Sequence, residues 1–380
     1  MSDDFMNIVF VCLSLEMGGV ENNLVLLTRE FVQKGHQVTV ISKGGPLESD
    51  IIREGGRIEK IGLYRMKAFT NGKKLAETLM KLNPDVVHLF AASCCVAMWV
   101  ARTFFHPWAG RDHPVVLSSV MGLQNSPDEF IVTTQLRNLF LTFGVDMTVM
   151  TSPVIARYYR SLPVPRNRLC EQLVCGVVLP ERLPQEEILR LRHELGLRLE
   201  EKMVLTIGQL EPRKSHKLFV RAAALVCEKH RNVKFMIVGE GKLRQKLTAI
   251  IHRLGLKDRV RLLGLRKDVP ALLSLADICV KPGILDGFLG ITVLEAQSVG
   301  TPVVAFDGED VREAVIHGET GLLVKKGDFK DLAAKLNDLL DDPEKSRKLA
   351  KQGNTLVRKR FDIEVIAGKL LSLYSELLRK

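Results

Sequence analysis

The sequence predicts an α/β protein made of two Rossmann-like, doubly wound parallel-sheet domains facing across a cleft. Three observations carry this. Short apolar, β-branched runs alternate with segments of helical periodicity, the pattern of a sheet covered by helices on both faces. The alternation starts at Asn7, breaks in the proline-bearing stretch Val164 to Pro184, and starts again at Met203. The chain has 380 residues, 46% of them hydrophobic, enough for two cores. The expected domains are residues 1–180 and 181–362. A final helix over residues 363–380 is expected to cross back onto the first.

In the first half, Asn7 to Leu13 reads as the opening strand. The loop Met17-Gly18-Gly19-Val20-Glu21 leads into a helix to Gln33, Gly35-His36 ends it, and Gln37 to Ile41 is the second strand. This βαβ unit carries its glycines at a strand's C-terminal end, where ligands dock in open parallel sheets. Asn83 to His88 is another strand, with His88 at its exit, and Val115 to Val120 and Val145 to Thr151 complete the set. A helix begins at Ser152, with Pro153 in its first position.

The second half repeats the pattern. Met203 to Ile207 is a strand, and Gly208-Gln209-Leu210-Glu211-Pro212-Arg213-Lys214-Ser215 is a loop. A helix to His230, a strand Val233 to Val238, a helix Lys242 to Leu254 and a strand Arg259 to Leu263 follow. A helix over Val269 to Leu275 and the apolar run Asp277 to Val280 come next. The chain then reads PGILDGFLGITVLEAQSVGTPVVAF from Pro282 to Phe306: glycine-rich loop, helix Ile291 to Ser298, a stop at Gly300, and a strand Val303 to Phe306. Beyond Asp328 the periodicity is helical to the end.

The residue types of that composite stretch point to chemistry there. The helix start at Gly290-Ile291-Thr292 presents unpaired N–H groups and a positive dipole end, which suits a phosphate. Glu295 follows within the first turns. A carboxylate cannot help to hold a phosphate, but it accepts hydrogen bonds from the vicinal hydroxyls of a sugar.

Composition narrows the partners. The net charge of +11 is uneven: residues 1–180 hold 18 basic and 16 acidic side chains, the remainder 37 and 28. The basic residues are scattered at helical spacing without interleaved aromatics, so solvated helix faces are expected and nucleic acid is not. A smaller cluster lies between Arg53 and Lys81, eight basic residues against Glu54, Glu59 and Glu77. Seven cysteines show no paired metal spacing and fit a reducing cytoplasm. The acidic start lacks a basic n-region, and the uncharged stretch Val86 to Ala101 is shorter than the ~20 residues of a membrane span. The expected location is cytoplasmic, with peripheral contact at the inner face of the membrane.

The stretch Pro282 to Phe306 resembles the signature of retaining GT-B glycosyltransferases, especially glycosyltransferase family 4. Its tail, Ala296-Gln297-Ser298-Val299-Gly300-Thr301-Pro302-Val303-Val304, matches the family's Ala-x-x-x-Gly-x-Pro-Val-Val segment. At the family's spacing from Glu295 stands Gly287, and the nearest acid, Asp286, is one residue further. Gly18-Gly19 resembles the family's N-terminal loop, and His88 stands where relatives often carry an acceptor-side histidine. Gly208 to Lys214 resembles the diphosphate clamp, with Lys214 at the lysine position and neutral Gln209 at the arginine position beside Arg213. Met121 stands where relatives carry a histidine.

The resemblance implies a metal-free, cofactor-free transfer of a sugar from a nucleoside-diphosphate sugar to a sugar-containing or lipid-linked acceptor, with retention at the anomeric carbon. Lys214 and Asp286 are the implied catalytic residues. Gly18, Gly19, His88, Gln209, Arg213, Gly290, Ile291, Thr292 and Glu295 are the implied substrate contacts. Two rivals remain at this level: a catalytically degenerate nucleotide-sugar-binding or scaffold protein, motivated by Gln209, Met121 and the shifted acid, and a sugar-nucleotide epimerase on the same fold.

Overall fold

The computed structural model describes residues 5–16, 18–63, 67–90, 92–108, 113–120, 144–151, 153–162, 165–171, 175–180, 183–283, 290–308 and 311–380. The chain divides into two compact units, residues 1–176 with 363–380 and residues 177–362.

Among the described residues the first unit holds seven parallel strands in the order β3-β2-β1-β4-β5-β6-β7. They are β1 Asn7–Val11, β2 Gln37–Ser42, β3 Arg57–Lys60, β4 Val86–Leu89, β5 Val115–Val120, β6 Met147–Met150 and β7 Leu169–Glu171. In the centre, β1 pairs on both sides, Ile8 with Val38 and with Val86. Strands covered by helices on both faces lose the apolar–polar alternation, which is why β1 after Asn7 reads as a continuous apolar run. The linker expected between Val164 and Pro184 needs correction: Leu169–Glu171 inside it is an edge strand, pairing Thr148 with Leu169. It is three residues long, too short to show a period.

The helix Ile363–Leu378 belongs to this first unit. Its Tyr374 is buried beside Phe31 of the helix Gly19–Gln33, with ring centroids 6.0 Å apart at 84°. The Asn23 side-chain oxygen on that helix accepts a 2.9 Å hydrogen bond from the Gly176 amide. The basic cluster is less positive than its count suggests. Arg53 pairs with Asp50 at 2.7 Å and Lys60 with Glu48 at 2.8 Å, both acids lying just upstream of the cluster.

The second unit holds six parallel strands among the described residues, in the order β10-β9-β8-β11-β12-β13. They are β8 Lys202–Ile207, β9 Val233–Val238, β10 Val260–Gly264, β11 Ile278–Lys281, β12 Val303–Phe306 and β13 Leu322–Val324. The chain enters at β8, winds outward to β10, then returns to the other side of β8 as β11. The strand order therefore reverses between β8 and β11, and a crevice opens there at the C-terminal strand ends. Val204, Val280 and Val304 from three neighbouring strands share one core with Phe219, Phe235 and Leu336 of the helical and sheet layers.

Candidate functional site

The two sides of that crevice are built differently. On the β8 side the chain leaves at Gly208 and makes one tight turn over Pro212–Lys214 before the helix His216–Lys229. The loop is pinned to its neighbours. The Leu210 amide donates to the Glu240 carbonyl at 2.9 Å, and the Leu243 amide donates to the Leu210 carbonyl at 2.9 Å. His216, buried at the helix start, lies 3.3 and 3.2 Å from the carbonyls of Gly208 and Gln209. Gly239 makes the close approach feasible: it has φ +136°, and a Cβ there would stand 2.1 Å from the Gly208 oxygen. Lys214 folds back over Gly208, its Cδ 3.3 Å from where a Cβ on that glycine would be. The turn thus carries a lysine directly over the C-terminal end of β8.

Gln209 and Arg213 sit on the same loop. Arg213 donates from Nη2 to Gln209 Oε1 at 2.7 Å and from Nε to Glu211 Oε2 at 3.0 Å. Its guanidinium is therefore drawn toward a carboxylate of its own loop.

On the β11 side the helix Ile291–Ser298 begins at Gly290. The Gly290 carbonyl accepts from the amides of Val293 at 2.7 Å and Leu294 at 3.2 Å. The N–H groups of Gly290, Ile291 and Thr292 precede the first intrahelical donor, so helix geometry gives them no acceptor within it. The far end is fixed by Asn354, which donates to the carbonyls of Gln297 at 3.0 Å and Ser298 at 2.6 Å. Gln297, fully buried, donates to the carbonyls of Ala314 and Thr320, both at 2.9 Å. A helix held at its C-terminal end by two side chains presents its positive end in a defined place.

Glu295 is partly exposed, but burial of its carboxyl pushes it up to about 7. The Cys279 thiol on β11 is pushed up to about 12, first by its own burial and then by the Glu295 charge. The carboxyl is therefore within electrostatic reach of β11. Asp286 and Gly287 lie outside the described residues, as does Met121.

In the first unit Gly18 caps the helix Gly19–Gln33, its carbonyl accepting from the Asn22 amide at 2.9 Å. The Glu21 carboxylate returns over this loop, 2.3 Å from the place of a Cβ on Gly18. Burial raises its pKa above the ordinary carboxylate value. The Gly18 turn is thus fronted by an acid. His88 lies in the same sheet, wholly buried. Its Nδ1 is 2.5 Å from the Tyr374 hydroxyl and its Nε2 is 2.6 Å from Ser119 Oγ. Phe90 stacks on its ring at 4.4 Å, and burial lowers its pKa to about 3. Both nitrogens are spent inside the domain.

Two residues at the crevice escape a reading of the sequence. His216 is a polar residue at a helix start, indistinguishable from a solvated one. Lys281 ends β11 and is 7% exposed, its Cδ and Cε each 3.2 Å from the place of a Cβ on Gly290. The only signal for it is a lysine closing an otherwise apolar run, which reads equally well as the point where a strand meets solvent.

Two parallel Rossmann-like sheets, the second with a lysine loop and a helix start at its switch point, define the GT-B glycosyltransferase fold. The family model described as glycosyl transferases group 1 matches residues 187–355, and that described as Glycosyltransferase Family 4 matches residues 17–170. The chain belongs to the group 1 glycosyltransferases of the family 4 type. It is 22% identical over 364 residues to the N-acetyl-alpha-D-glucosaminyl L-malate synthase of Bacillus anthracis, covering 93% of this chain and 92% of that one. It is 30% identical over 189 residues to the alpha-D-kanosaminyltransferase of Streptomyces kanamyceticus, but this spans only 48% of that protein's length. In fold it is similar to Anabaena Alr3699/HepE, solved in complex with UDP: the TM-score is 0.85 at 21% identity, covering 98% of this chain and 100% of that one.

Proposed function

We propose that this protein transfers a glycosyl group from a nucleoside-diphosphate sugar to an acceptor hydroxyl, with retention at the anomeric carbon. One observation carries the reading: Lys214 lies over the end of β8 and the start of the helix Ile291–Ser298, which bears Glu295, lies beside the end of β11, where the strand order reverses. Lys214 and the N–H groups of Gly290, Ile291 and Thr292 would hold the diphosphate and stabilise its charge as it leaves. Glu295 would accept hydrogen bonds from the ribose, and Asp286 would hold hydroxyls of the transferred sugar. The bond from the anomeric carbon to the phosphate oxygen breaks, the acceptor oxygen attacks from the same face, and its proton passes to the departing phosphate. No side chain need act as nucleophile. Gly18 and Gly19, fronted by Glu21, suit hydroxyls better than phosphate. For His88 we propose a supporting role, fixing the strand end that faces the substrate.

The acceptor side of the reading is a sugar or a lipid-linked sugar at an anionic membrane surface. Phe69 and Phe104 are 58% and 54% exposed and lie 5.7 Å apart, and exposed Lys67, Lys73 and Lys74 are within five positions of Phe69 in the chain. Aromatic rings next to lysines are the composition of an interfacial contact. Among the described residues no helix is long and apolar enough to cross a membrane.

The test is a screen of nucleotide sugars, beginning with UDP-glucose, against simple sugar acceptors. Transfer to an acceptor with the donor's anomeric configuration kept is the expected result. Binding with neither transfer nor hydrolysis would leave a degenerate binder, and interconversion of the free donor would leave an epimerase.

A further inference from the structure

We infer that Asn354, oriented by Arg358, is a positioning residue for the donor diphosphate: it fixes where the start of the helix Ile291–Ser298 stands. The inference rests on the nucleotide-sugar reading of the crevice above.

The helix Ile291–Ser298 has eight residues, about 12 Å at about 1.5 Å per residue. An element that short moves as one piece, so a shift at its far end reaches the N–H groups of Gly290, Ile291 and Thr292. Val293, Leu294 and Ala296 are fully buried, but the attraction that buries them has no preferred direction. Hydrogen bonds of set length and angle do fix a position along the axis.

Those bonds come largely from the helix Pro343–Arg360. Gly353 lets the two helices meet: a Cβ there would stand 3.0 Å from Gln297 Cγ and 3.0 Å from the Thr320 carbonyl oxygen. The next residue, Asn354, reaches the last turn with one amide nitrogen, 2.6 Å from the Ser298 carbonyl and 3.0 Å from that of Gln297. The turn beyond the helix closes on Ala296 and Gln297, through the amides of Thr301 at 2.9 Å and Gly300 at 3.0 Å. Asn354 extends the closure to Ser298.

Asn354 does this in one orientation of its amide. Arg358, one turn further on, donates from Nε to Asn354 Oδ1 at 2.8 Å. Reversing the amide would set Nδ2 against the Arg358 N–H and Oδ1 against two carbonyl oxygens, donor facing donor and acceptor facing acceptor. The guanidinium of an exposed residue thus selects the orientation that anchors the helix.

Stability alone does not ask for this arrangement. Gln297 is fully buried, and among the described residues no donor meets its Oε1. A buried acceptor without a partner costs free energy. What the polar contacts supply is a single register. For a diphosphate held by helix N–H groups, register is affinity: a displacement of about 1 Å takes an N–H···O contact out of its ordinary range of about 2.7–3.2 Å.

The experiment measures binding of UDP and uridine to the full chain and its variants by calorimetry, with thermal midpoints recorded for each. Both ligands can meet Glu295, but only UDP carries a diphosphate to the helix start. In Asn354→Leu the UDP affinity should fall about tenfold and the uridine affinity by less. Arg358→Met should lose in the same sense. Arg358→Gln should keep the parent's affinity, because glutamine Nε2 stands as many bonds from the backbone as arginine Nε. Leu349→Ala, a core truncation on the same helix, should lower the thermal midpoint and leave the ratio of the two affinities unchanged. A ratio unchanged in Asn354→Leu, or one that falls as far in Leu349→Ala, overturns the inference and leaves the nucleotide site standing. Should Asn354→Leu fail to fold, the two substitutions at Arg358 decide: equal affinities in Arg358→Met and Arg358→Gln, retained or lost, overturn it. A parent that binds none of UDP, GDP, ADP or TDP overturns the nucleotide-sugar reading and this inference with it.

Discussion

Arg213 donates to the Gln209 side-chain carbonyl at 2.7 Å, so the residue at the clamp's arginine position serves as an acceptor for a neighbouring cation. Replacing Gln209 by arginine would set two guanidiniums on one exposed loop with a single carboxylate, Glu211, between them. Gln209→Arg is therefore expected to strengthen UDP binding by at most about tenfold, since the added charge meets Arg213 on the same loop. Calorimetry on the parent and the variant checks this, and an unchanged affinity would show that another cation already supplies the charge.

Lys214 folds over the end of β8 and packs on a glycine, so truncating it removes charge without opening a core. Lys214→Ala should weaken UDP binding by about 1.5–3 kcal/mol, the worth of a charge-assisted contact, with little change in thermal stability. Unchanged affinity would remove Lys214 from the site.

Glu295 links stability to pH in a direction opposite to most carboxylates. Burial holds it at about 7, above its unfolded value, so the fold favours the neutral form. Its contribution to stability is present at low pH and is lost as pH rises from the ordinary carboxylate range through 7. Glu295→Gln should therefore be more stable than the parent by about 1–3 kcal/mol at pH 8 and alike at pH 4. The same variant should bind UDP less tightly, since an amide accepts from ribose hydroxyls less strongly than a carboxylate. Denaturant melts at the two pH values check the first half. A variant less stable at pH 8 would mean that the buried carboxylate is compensated in place.

The His88–Tyr374 contact ties together residues 286 apart in sequence. Burial lowers His88 to about 3, so the unfolded chain takes up its proton while the folded one does not. Stability should fall as pH drops below the ordinary histidine value, by about 1.4 kcal/mol for each pH unit from this group. Tyr374→Phe leaves the imidazole with an unanswered nitrogen and should cost about 1–3 kcal/mol at neutral pH. Urea melts of the parent and the variant test both statements, and a variant as stable as the parent would show that the hydroxyl is dispensable.

How much of this was legible beforehand follows from what each feature depends on. The two parallel sheets were, because strands such as Val303–Phe306 are buried on both faces and so read as uninterrupted apolar runs. The helix Ile291–Ser298 was, because Gly290 and Gly300 punctuate it at both ends. β7 was not, since a three-residue edge strand has no period to detect. Lys281 was not, since its place beside Gly290 arises from the packing of a helix back onto its strand. His88 could be seen at the end of its strand, but not its partners, because Ser119 and Tyr374 are brought to it by the sheet and by the final helix. The Arg53–Lys81 cluster looked more basic than it is, because Glu48 and Asp50 sit outside the stretch that holds the cations they answer.

Arg53 and Lys60 are paired and Arg65 lies outside the described residues, so among the described residues the exposed cations within five positions of Phe69 in the chain are Lys67, Lys73 and Lys74. Lys73 lies only 4.0 Å from Glu77, and an exposed pair of that length contributes little. Phe69 opens the helix Ala68–Leu82 on the side that bears Lys73, and it meets Phe105 at 5.0 Å as well as Phe104. A surface contact would then have two parts: attraction of about 1 kcal/mol per lysine near an anionic bilayer, and burial of the rings at the interface. The two respond differently to salt, which screens the first within about 10 Å at 0.1 M and leaves the second. Sedimentation with vesicles of phosphatidylglycerol and phosphatidylcholine should show binding by the parent at low salt. Lys73→Glu with Lys74→Glu should abolish it. Phe69→Ser with Phe104→Ser should weaken it at every salt concentration, and both pairs should leave UDP affinity unchanged. No binding by the parent to anionic vesicles at low salt, or binding that survives both pairs of substitutions, would end the membrane assignment and return the acceptor to a soluble sugar.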